Sequence, residues 1–486
     1  MKTKHTKTPI LDAMISTLEM QKVRFDVPGH HYGNGMDDLA ALFKQYAMGV
    51  DLSAQATLDN LCYPESVINE AQQLAAEAFH TREAYFMVNG TSGAIFNMIF
   101  AAVKSGEKII VPRNIHRSVI NSIIISGAIP IYIPLTIHPT LHIPLGINYN
   151  KLQTIIEANP DAKAVLFNHA TYYGICSDLK RLIELVHQHG MLALVDEAHG
   201  THFYFDERLP APAMALGADL SAISMHKTGG SLTQSSLLLS NGKIDRHYLH
   251  DIINLSLTTS ASYILMASLD LARRNMVLHG KEYIDELLFN TNYARARIKK
   301  IGGYQVIGPE LIDDESVFAY DLTKLSIITN HLGFSGHTLF KLLSEDYNIQ
   351  PEFGDNNMLL LMPSFSNSKE EIDTLIDALD DIKDKYQTAP FGGIDTMIEP
   401  VVVFTPQTAF FAKGKKIAIK RSLGEISKET IMCYPPGIPI ITAGEKITTE
   451  VLNLIEKVRE HQGMIVGLHD QEFQIIEVMD FSQTRK

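Results

Sequence analysis

Residues 219–236 read DLSAISMHKTGGSLTQSS. The apolar run 220–223 has strand character, Ser224-Met225-His226 ends it, and Gly229-Gly230 let the chain turn where side chains would obstruct. The stretch therefore delivers Lys227 from a strand end into a polar, glycine-rich turn. A lysine flanked by small hydroxyls and an imidazole can serve as a Schiff-base amine, because desolvation and nearby positive charge lower its pKa toward neutrality. Ser224 and His226 then read as ligands of an anionic group, most simply a phosphate. Taken alone, the same pattern also describes a surface lysine after a buried strand. The rest of the chain decides between the two.

Working outward, residues 50–275 alternate short apolar runs with helical spacing. Strands are expected at 108–111, 129–133, 164–167, 192–195, 220–224 and 236–240, and helical spacing at 71–79 and 94–103. This alternation predicts a mainly parallel sheet covered on both faces, with ligands outside the carboxyl ends of the strands. Several segments fall at those ends. Val195-Asp196-Glu197-Ala198-His199-Gly200 puts a carboxylate where burial is costly without a partner. Asn89-Gly90-Thr91-Ser92-Gly93 precedes a helix and exposes backbone N–H groups, as an ordinary cap or as an anion site. His116, in Arg113-Asn114-Ile115-His116-Arg117-Ser118, reads as a helix cap, a solvated ring or a site residue, and Thr171-Tyr172-Tyr173-Gly174 as pocket wall.

The 486 residues are enough for two or three domains, and 45% apolar with 20% charged residues is ordinary for a globular enzyme. A net charge of −13 without a Lys/Arg cluster argues against nucleic acid as a partner and leaves cationic small molecules welcome. Cys62, Cys176 and Cys433 are scattered and lack metal-ligand spacing, so reduced packing residues and no metal site are expected. The polar N-terminus carries no apolar core of signal-peptide length. The most apolar region, 119–134, is interrupted by Asn121, Ser122, Gly127 and Pro130 and falls short of the roughly 20 residues that a bilayer span requires. The expectation is a cytoplasmic protein with no membrane partner.

Ser224-Met225-His226-Lys227 followed by Leu232-Thr233-Gln234 resembles the pyridoxal-phosphate lysine motif of the Orn/Lys/Arg decarboxylase family, in the aspartate-aminotransferase-like α/β fold (fold type I). Pro28-Gly29-His30-His31, Thr258-Thr259-Ser260-Ala261-Ser262-Tyr263, Glu352 with Asp355, and Tyr434-Pro435-Pro436-Gly437-Ile438-Pro439 with Ala443-Gly444-Glu445 resemble further family segments. The last of these is a C-terminal signature that ordinary aminotransferases lack. The chain departs from the family pattern at His31, Ala170, Ala261, Gln407 and Ala443.

The resemblance implies pyridoxal 5'-phosphate as cofactor. Lys227 is then its lysine, Asp196 the partner of the ring nitrogen, and His116 the imidazole stacked on the ring. Ala198 lies beneath the ring, His199 beside the reacting centre, and Gly90, Thr91, Ser92, Ser224 and His226 around the phosphate. Ser260 would reach a partner subunit's phosphate. Glu352 and Asp355 read as loop carboxylates or as contacts to the substrate side chain.

The implied organisation is an N-terminal segment 1–40, a pyridoxal-phosphate-binding large domain 41–290, a small α/β domain 291–385 and a C-terminal family domain 386–486. The implied activity is decarboxylation of a basic amino acid by a homodimer or larger homo-oligomer, in polyamine metabolism. L-arginine, giving agmatine and CO2, leads because the chain most resembles the family's short, arginine-decarboxylase-like forms. Lysine and ornithine are the alternatives. An aminotransferase or another lyase on the same fold, or a non-enzymatic scaffold, are the readings from other classes.

Overall fold

The computed structural model describes residues 8–481 apart from 56, 314, 387, 388, 391, 392, 396, 435, 436, 461, 462 and 471. Seven strands make the central sheet: β1 (Glu83–Met87), β2 (Lys108–Pro112), β3 (Ile129–Ile133), β4 (Ala164–Asn168), β5 (Leu192–Asp196), β6 (Leu220–Ile223) and β7 (Ser236–Ser240). Their spatial order is β1-β7-β6-β5-β4-β2-β3. Only β7 runs against its neighbours β1 and β6; the pairs β2/β3, β2/β4, β4/β5 and β5/β6 are parallel. The strands are mostly apolar because both faces are covered, with their polar residues largely at the strand ends. Ile110, Val165, Phe167, Ala193 and Val195 enter one core with the helices Val67–Ala78 and Leu179–Gln188. Ile109, Val111, Ala164, Leu166 and Leu194 enter the other with Gly90–Ala102 and Arg117–Ser126.

Three local boundaries differ from the sequence expectation. The helix expected at 94–103 begins at Gly90, so Gly90, Thr91 and Ser92 form its first turn rather than a preceding loop. The strand expected to reach residue 224 stops at Ile223, and Ser224 instead precedes a single helical turn, Met225–Thr228. The family-like segment 258–263 becomes helical only at Tyr263, where Ser262 Oγ accepts the N–H of Leu265 at 3.4 Å. Thr258 Oγ1 accepts the N–H of Ser260 at 3.3 Å, a local turn that competes with helix.

That helix, Tyr263–Ile301, is 39 residues long and carries the chain across residues 290 and 291 into a second layer. There a four-stranded antiparallel sheet runs in the order Gln305–Val306, Leu325–Ile328, Met358–Leu361, Phe353–Gly354. The helices Gly336–Asp346 and Lys369–Tyr386 share its core through Leu339, Leu343, Leu375 and Leu379. The short N-terminal strand Val23–Phe25 pairs with Ile349–Pro351 of this layer. Beyond it, the strands Ile431–Tyr434, Ile438–Ile441 and Met464–Val466 and the helix Thr449–Glu460 enclose a further core of Ile431, Ile440, Leu454 and Ile455. Pro435 and Pro436, which stiffen the proline-glycine loop in the sequence reading, lie outside the described residues.

Candidate active site

The carboxyl ends of β4, β5 and β6 open into a cavity of about 350 Å3. Its wall includes Gly90, Thr91, Ser92, His116, Asp196, Ala198, His199, Ser224, His226 and Lys227, all singled out in the sequence. Ser260 is not among them: it is exposed on the turn before the long helix, and this chain alone does not bring it to the others.

Lys227 sits on the helical turn that follows β6, with its N–H donating to Ser224 O at 3.0 Å. The N-terminal segment closes over this turn. The N–H of Gly29 donates to His226 O at 3.2 Å, and a Cβ on Gly29 would stand 2.5 Å from Lys227 O. Lys227 Nζ lies 2.9 Å from His199 Nε2 and 5.5 Å from the Tyr172 ring centroid. Burial lowers the Lys227 pKa, against Glu352 and Asp196, which raise it.

Asp196 is 7% exposed at the end of β5, and the hydrogen bond to its carboxylate is from the Ala198 N–H at 3.2 Å. Desolvation raises its pKa, while Lys227 lowers it. One N–H is a small offset for a buried carboxylate, so this wall fits a cationic ring nitrogen. Glu197, the next residue, points into the opposite core and accepts from Tyr204 Oη, Ser221 Oγ and the Ala213 N–H at 2.7, 2.9 and 2.8 Å. Burial pushes its pKa up to about 8.

At the other end of the cavity, Thr91 Oγ1 meets Ser236 Oγ at 2.6 Å and is also hydrogen-bonded to Ser224 Oγ. Gly90 has φ +74° and an N–H bound to Gln234 O, a conformation that suits glycine and presents the first turn of its helix to the cavity. A side chain at Gly90 would project into open space. Hydroxyls and a helix N-terminus form a fitting cradle for a phosphate. His226 Nδ1 is oriented by Ser235 O at 3.0 Å.

His116 caps the helix Arg117–Ser126 through Nδ1, which accepts the Ser118 N–H at 3.2 Å. Its ring is exposed to the cavity, and the packing behind it, with Lys227 and Arg117, lowers its pKa and keeps the imidazole neutral.

Tyr172 and His199 have ring centroids 4.4 Å apart. Tyr172 Oη donates to Glu352 Oε1 at 2.9 Å, and Tyr173 Oη to Asp355 Oδ2 at 3.0 Å. Asp355 also accepts the N–H groups of Asn357 and Met358, both at 2.8 Å, which makes it a structural anchor of the second layer. Neither carboxylate lines the cavity among the described residues.

Among the departures from the family pattern, His31 is buried with Nε2 2.9 Å from Asp26 O, and Gln407 Nε2 donates to Ile124 O at 3.1 Å. Ala170 lies in the cavity wall.

The sequence reading missed Lys324, 1% exposed, whose Nζ lies 2.9 Å from His199 Nδ1, on the opposite edge of the ring from Lys227. No short motif marks this residue; the only signal is a lysine directly before the apolar run 325–328.

Residues 8–371 match the Orn/Lys/Arg decarboxylase major domain, and residues 395–475 the C-terminal domain of that family. The chain is 38% identical over 479 residues to a protein of Bacillus anthracis named arginine decarboxylase, covering 97% of both. It is equally identical, over 479 residues, to the arginine decarboxylase of Bacillus subtilis (97% of this chain, 98% of that one). Among solved structures, lysine decarboxylase A from Pseudomonas aeruginosa superposes with a TM-score of 0.78 at 20% identity over 93% of this chain and 78% of that one. The sheet and its flanking layers are thus those of the pyridoxal-phosphate enzymes of fold type I, as expected from the sequence. With both family domains matched across a chain whose motif residues gather at one cavity, the protein belongs to the Orn/Lys/Arg decarboxylase family.

Proposed function

We propose that the cavity binds pyridoxal 5'-phosphate and that the chain removes the α-carboxylate of L-arginine as CO2, leaving agmatine. The single observation that carries this reading is the meeting of Lys227, Asp196, His116 and the Thr91–Ser224 cradle in one cavity of a chain so similar, end to end, to proteins named arginine decarboxylase. When bound, pyridoxal phosphate supplies an electrophilic carbon for an amine and a cationic ring that draws electrons from the bond to be broken.

The chain's own groups divide the remaining work. The Gly90–Ala102 helix N-terminus, Ser92, Thr91, Ser224 and His226, which line one end of the cavity, would hold the phosphate, and the buried Asp196 would pair with the ring nitrogen. Ala198 and His116, both in the cavity wall, would bound the ring. Lys227 would present the capturing amine, and His199, 2.9 Å from it, would hold or return a proton beside it. No arginine lines the cavity among the described residues: Arg113 is committed to Glu445 through two hydrogen bonds of 2.6 and 2.9 Å, and Arg117, between His116 and Ser118, lines a neighbouring cavity instead. An aminotransferase would clamp the substrate carboxylate with an arginine; a cavity lined by none favours its departure.

In the same reading the enzyme works in the cytoplasm, in polyamine synthesis, as a homodimer or larger assembly that brings a second copy's Ser260 to the phosphate. Exposed Ile10, Leu11 and Met14 on the N-terminal helix support a covered surface. The test is incubation of the purified enzyme with labelled arginine, lysine and ornithine. Arginine should release CO2 and yield agmatine with the highest kcat/KM, and borohydride should fix a pyridoxyl group on the Lys227 peptide. Faster putrescine or cadaverine formation would overturn the substrate, and no CO2 from any of the three would overturn the reaction.

A further inference from the structure

His199 is gripped on both edges by lysines: Nε2 is 2.9 Å from Lys227 Nζ, and Nδ1 is 2.9 Å from Lys324 Nζ. A neutral imidazole has one N–H and one lone pair, whereas an ammonium can only donate. Both lysines therefore cannot be charged at once: the one facing the ring lone pair can be an ammonium, and the one facing the ring N–H must be an amine. Burial, followed by the neighbouring lysines, holds the His199 pKa well below its usual value, so the ring itself does not take the charge.

Surrounding groups favour keeping one charge on the pair. Asp321 and Glu352 face Lys324; Glu352 and Asp196 face Lys227. The second contact of Lys324 is to Met362 Sδ at 3.4 Å, a weak acceptor that does not fix its protonation state. Asp321 Oδ1 accepts from Thr323 Oγ1 at 2.7 Å and lies 3.3 Å from His202 Nε2, while Oδ2 is buried without a hydrogen-bond partner among the described residues. A separate cavity of about 20 Å3, bounded by Lys227, Thr323, Lys324, Met362 and Ser364, is large enough for a water beside both amines.

We propose that Lys324 is a positioning residue that stores, through His199, the proton Lys227 gives up whenever its amine must be free. The transfer is a relay without loss of atoms or electrons. An N–H bond of the Lys227 ammonium breaks as Nε2 of His199 gains the proton, and the Nδ1–H bond breaks as the Lys324 amine gains another. In reverse, the store recharges His199 on the side of the reacting carbon. Decarboxylation needs that return, because the amine product carries a hydrogen where the carboxylate stood. Burial lowers the Lys324 pKa to about 8, within range of neutral pH, so the store can both fill and empty.

This inference rests on Lys227 being the amine that captures the cofactor carbonyl. The full-length chain, depleted of bound aldehyde, is mixed with pyridoxal phosphate across neutral and alkaline pH, and the product is trapped with borohydride and counted on the Lys227 peptide. In Lys324→Met the long side chain is kept but the store is lost. The capture midpoint should rise by about one pH unit or more, which is about tenfold slower labelling at neutral pH. Lys324→Arg carries a permanent charge, and its midpoint should stay at or below the parent's. A merely structural role would move both variants alike. Equal midpoints in all three proteins, or a midpoint for Lys324→Arg above the parent's, would overturn the relay while leaving the decarboxylase reading intact. If Lys324→Met fails to melt cooperatively, the Lys324→Arg comparison decides alone. A parent chain labelled elsewhere than Lys227 would overturn both readings.

Discussion

Asp196 is a carboxylate that the protein alone leaves poorly compensated: it ends a buried strand with the Ala198 N–H as its hydrogen-bond donor. Its role is therefore electrostatic, and removing it should not cost stability. Asp196→Ala is expected to melt at or above the parent temperature, since an uncompensated buried charge is lost. Turnover should fall about 10- to 100-fold or more, because a charge-assisted hydrogen bond contributes roughly 1.5–3 kcal/mol before any gain in the transition state. Calorimetry and the CO2 assay on the same preparation check both halves; activity within a few-fold of the parent would defeat the assignment. At this scale the sequence was readable wherever a residue lies within a short motif at a strand end, as Asp196, Ala198 and His199 do. It was silent where the partner is remote. Lys324 reaches His199 across 125 positions, and Arg113 is bound by Glu445 across 332.

Among the elements, the sheet was legible because strands covered on both faces must be apolar along their middle, and β2, β4 and β5 are, with Lys108, Asn168 and Asp196 only at their ends. Boundaries were less so. Backbone hydrogen bonding, not hydropathy, starts the helix Gly90–Ala102 at a glycine with φ +74°, and a side-chain turn at Thr258 delays the long helix to Tyr263. Equally illegible was the closure of the N-terminal segment over the Lys227 turn, since Pro28-Gly29 announces a bend but not what it rests against. Gly29 touches the backbone of that turn, with no flexible atom able to give way. Gly29→Ala should therefore displace either the segment or Lys227. The expected result is a loss of several-fold or more in kcat/KM with a lowered Tm, measured against the parent by initial rates and thermal melting. A variant with unchanged rates would mean that the contact is looser than the structure has it.

For the molecule as a whole, the decisive contact is the one that seats the C-terminal layer on the sheet. Arg113 and Glu445 are both nearly inaccessible and form a two-pronged ion pair, with Thr442 donating twice more to the same carboxylate, at 2.9 and 2.7 Å. The Arg113 guanidinium also lies 4.8 Å from the Tyr132 ring centroid and donates to Ile440 O. Such a pair adds little over a well-packed apolar contact, yet breaking it leaves a buried charge unmatched, which costs about 3–5 kcal/mol. The site depends on this seat, because Gly437 and Ile438 of the C-terminal layer form part of the cavity wall. Glu445→Ala is therefore expected to separate the C-terminal layer in a thermal melt, as an early transition ahead of the main one, and to make that layer cleavable by protease first. Activity should fall with the early transition and not with the later one, since opening that wall admits water while Lys227, Asp196 and His116 keep their places on the sheet. Arg113→Met with Glu445→Leu removes both charges and should recover most of the lost Tm. A single transition at the parent temperature in Glu445→Ala would mean that the C-terminal layer is held by its other contacts, such as the packing of Pro406–Phe411 against the helix Arg117–Ser126, and that the ion pair only fixes its orientation.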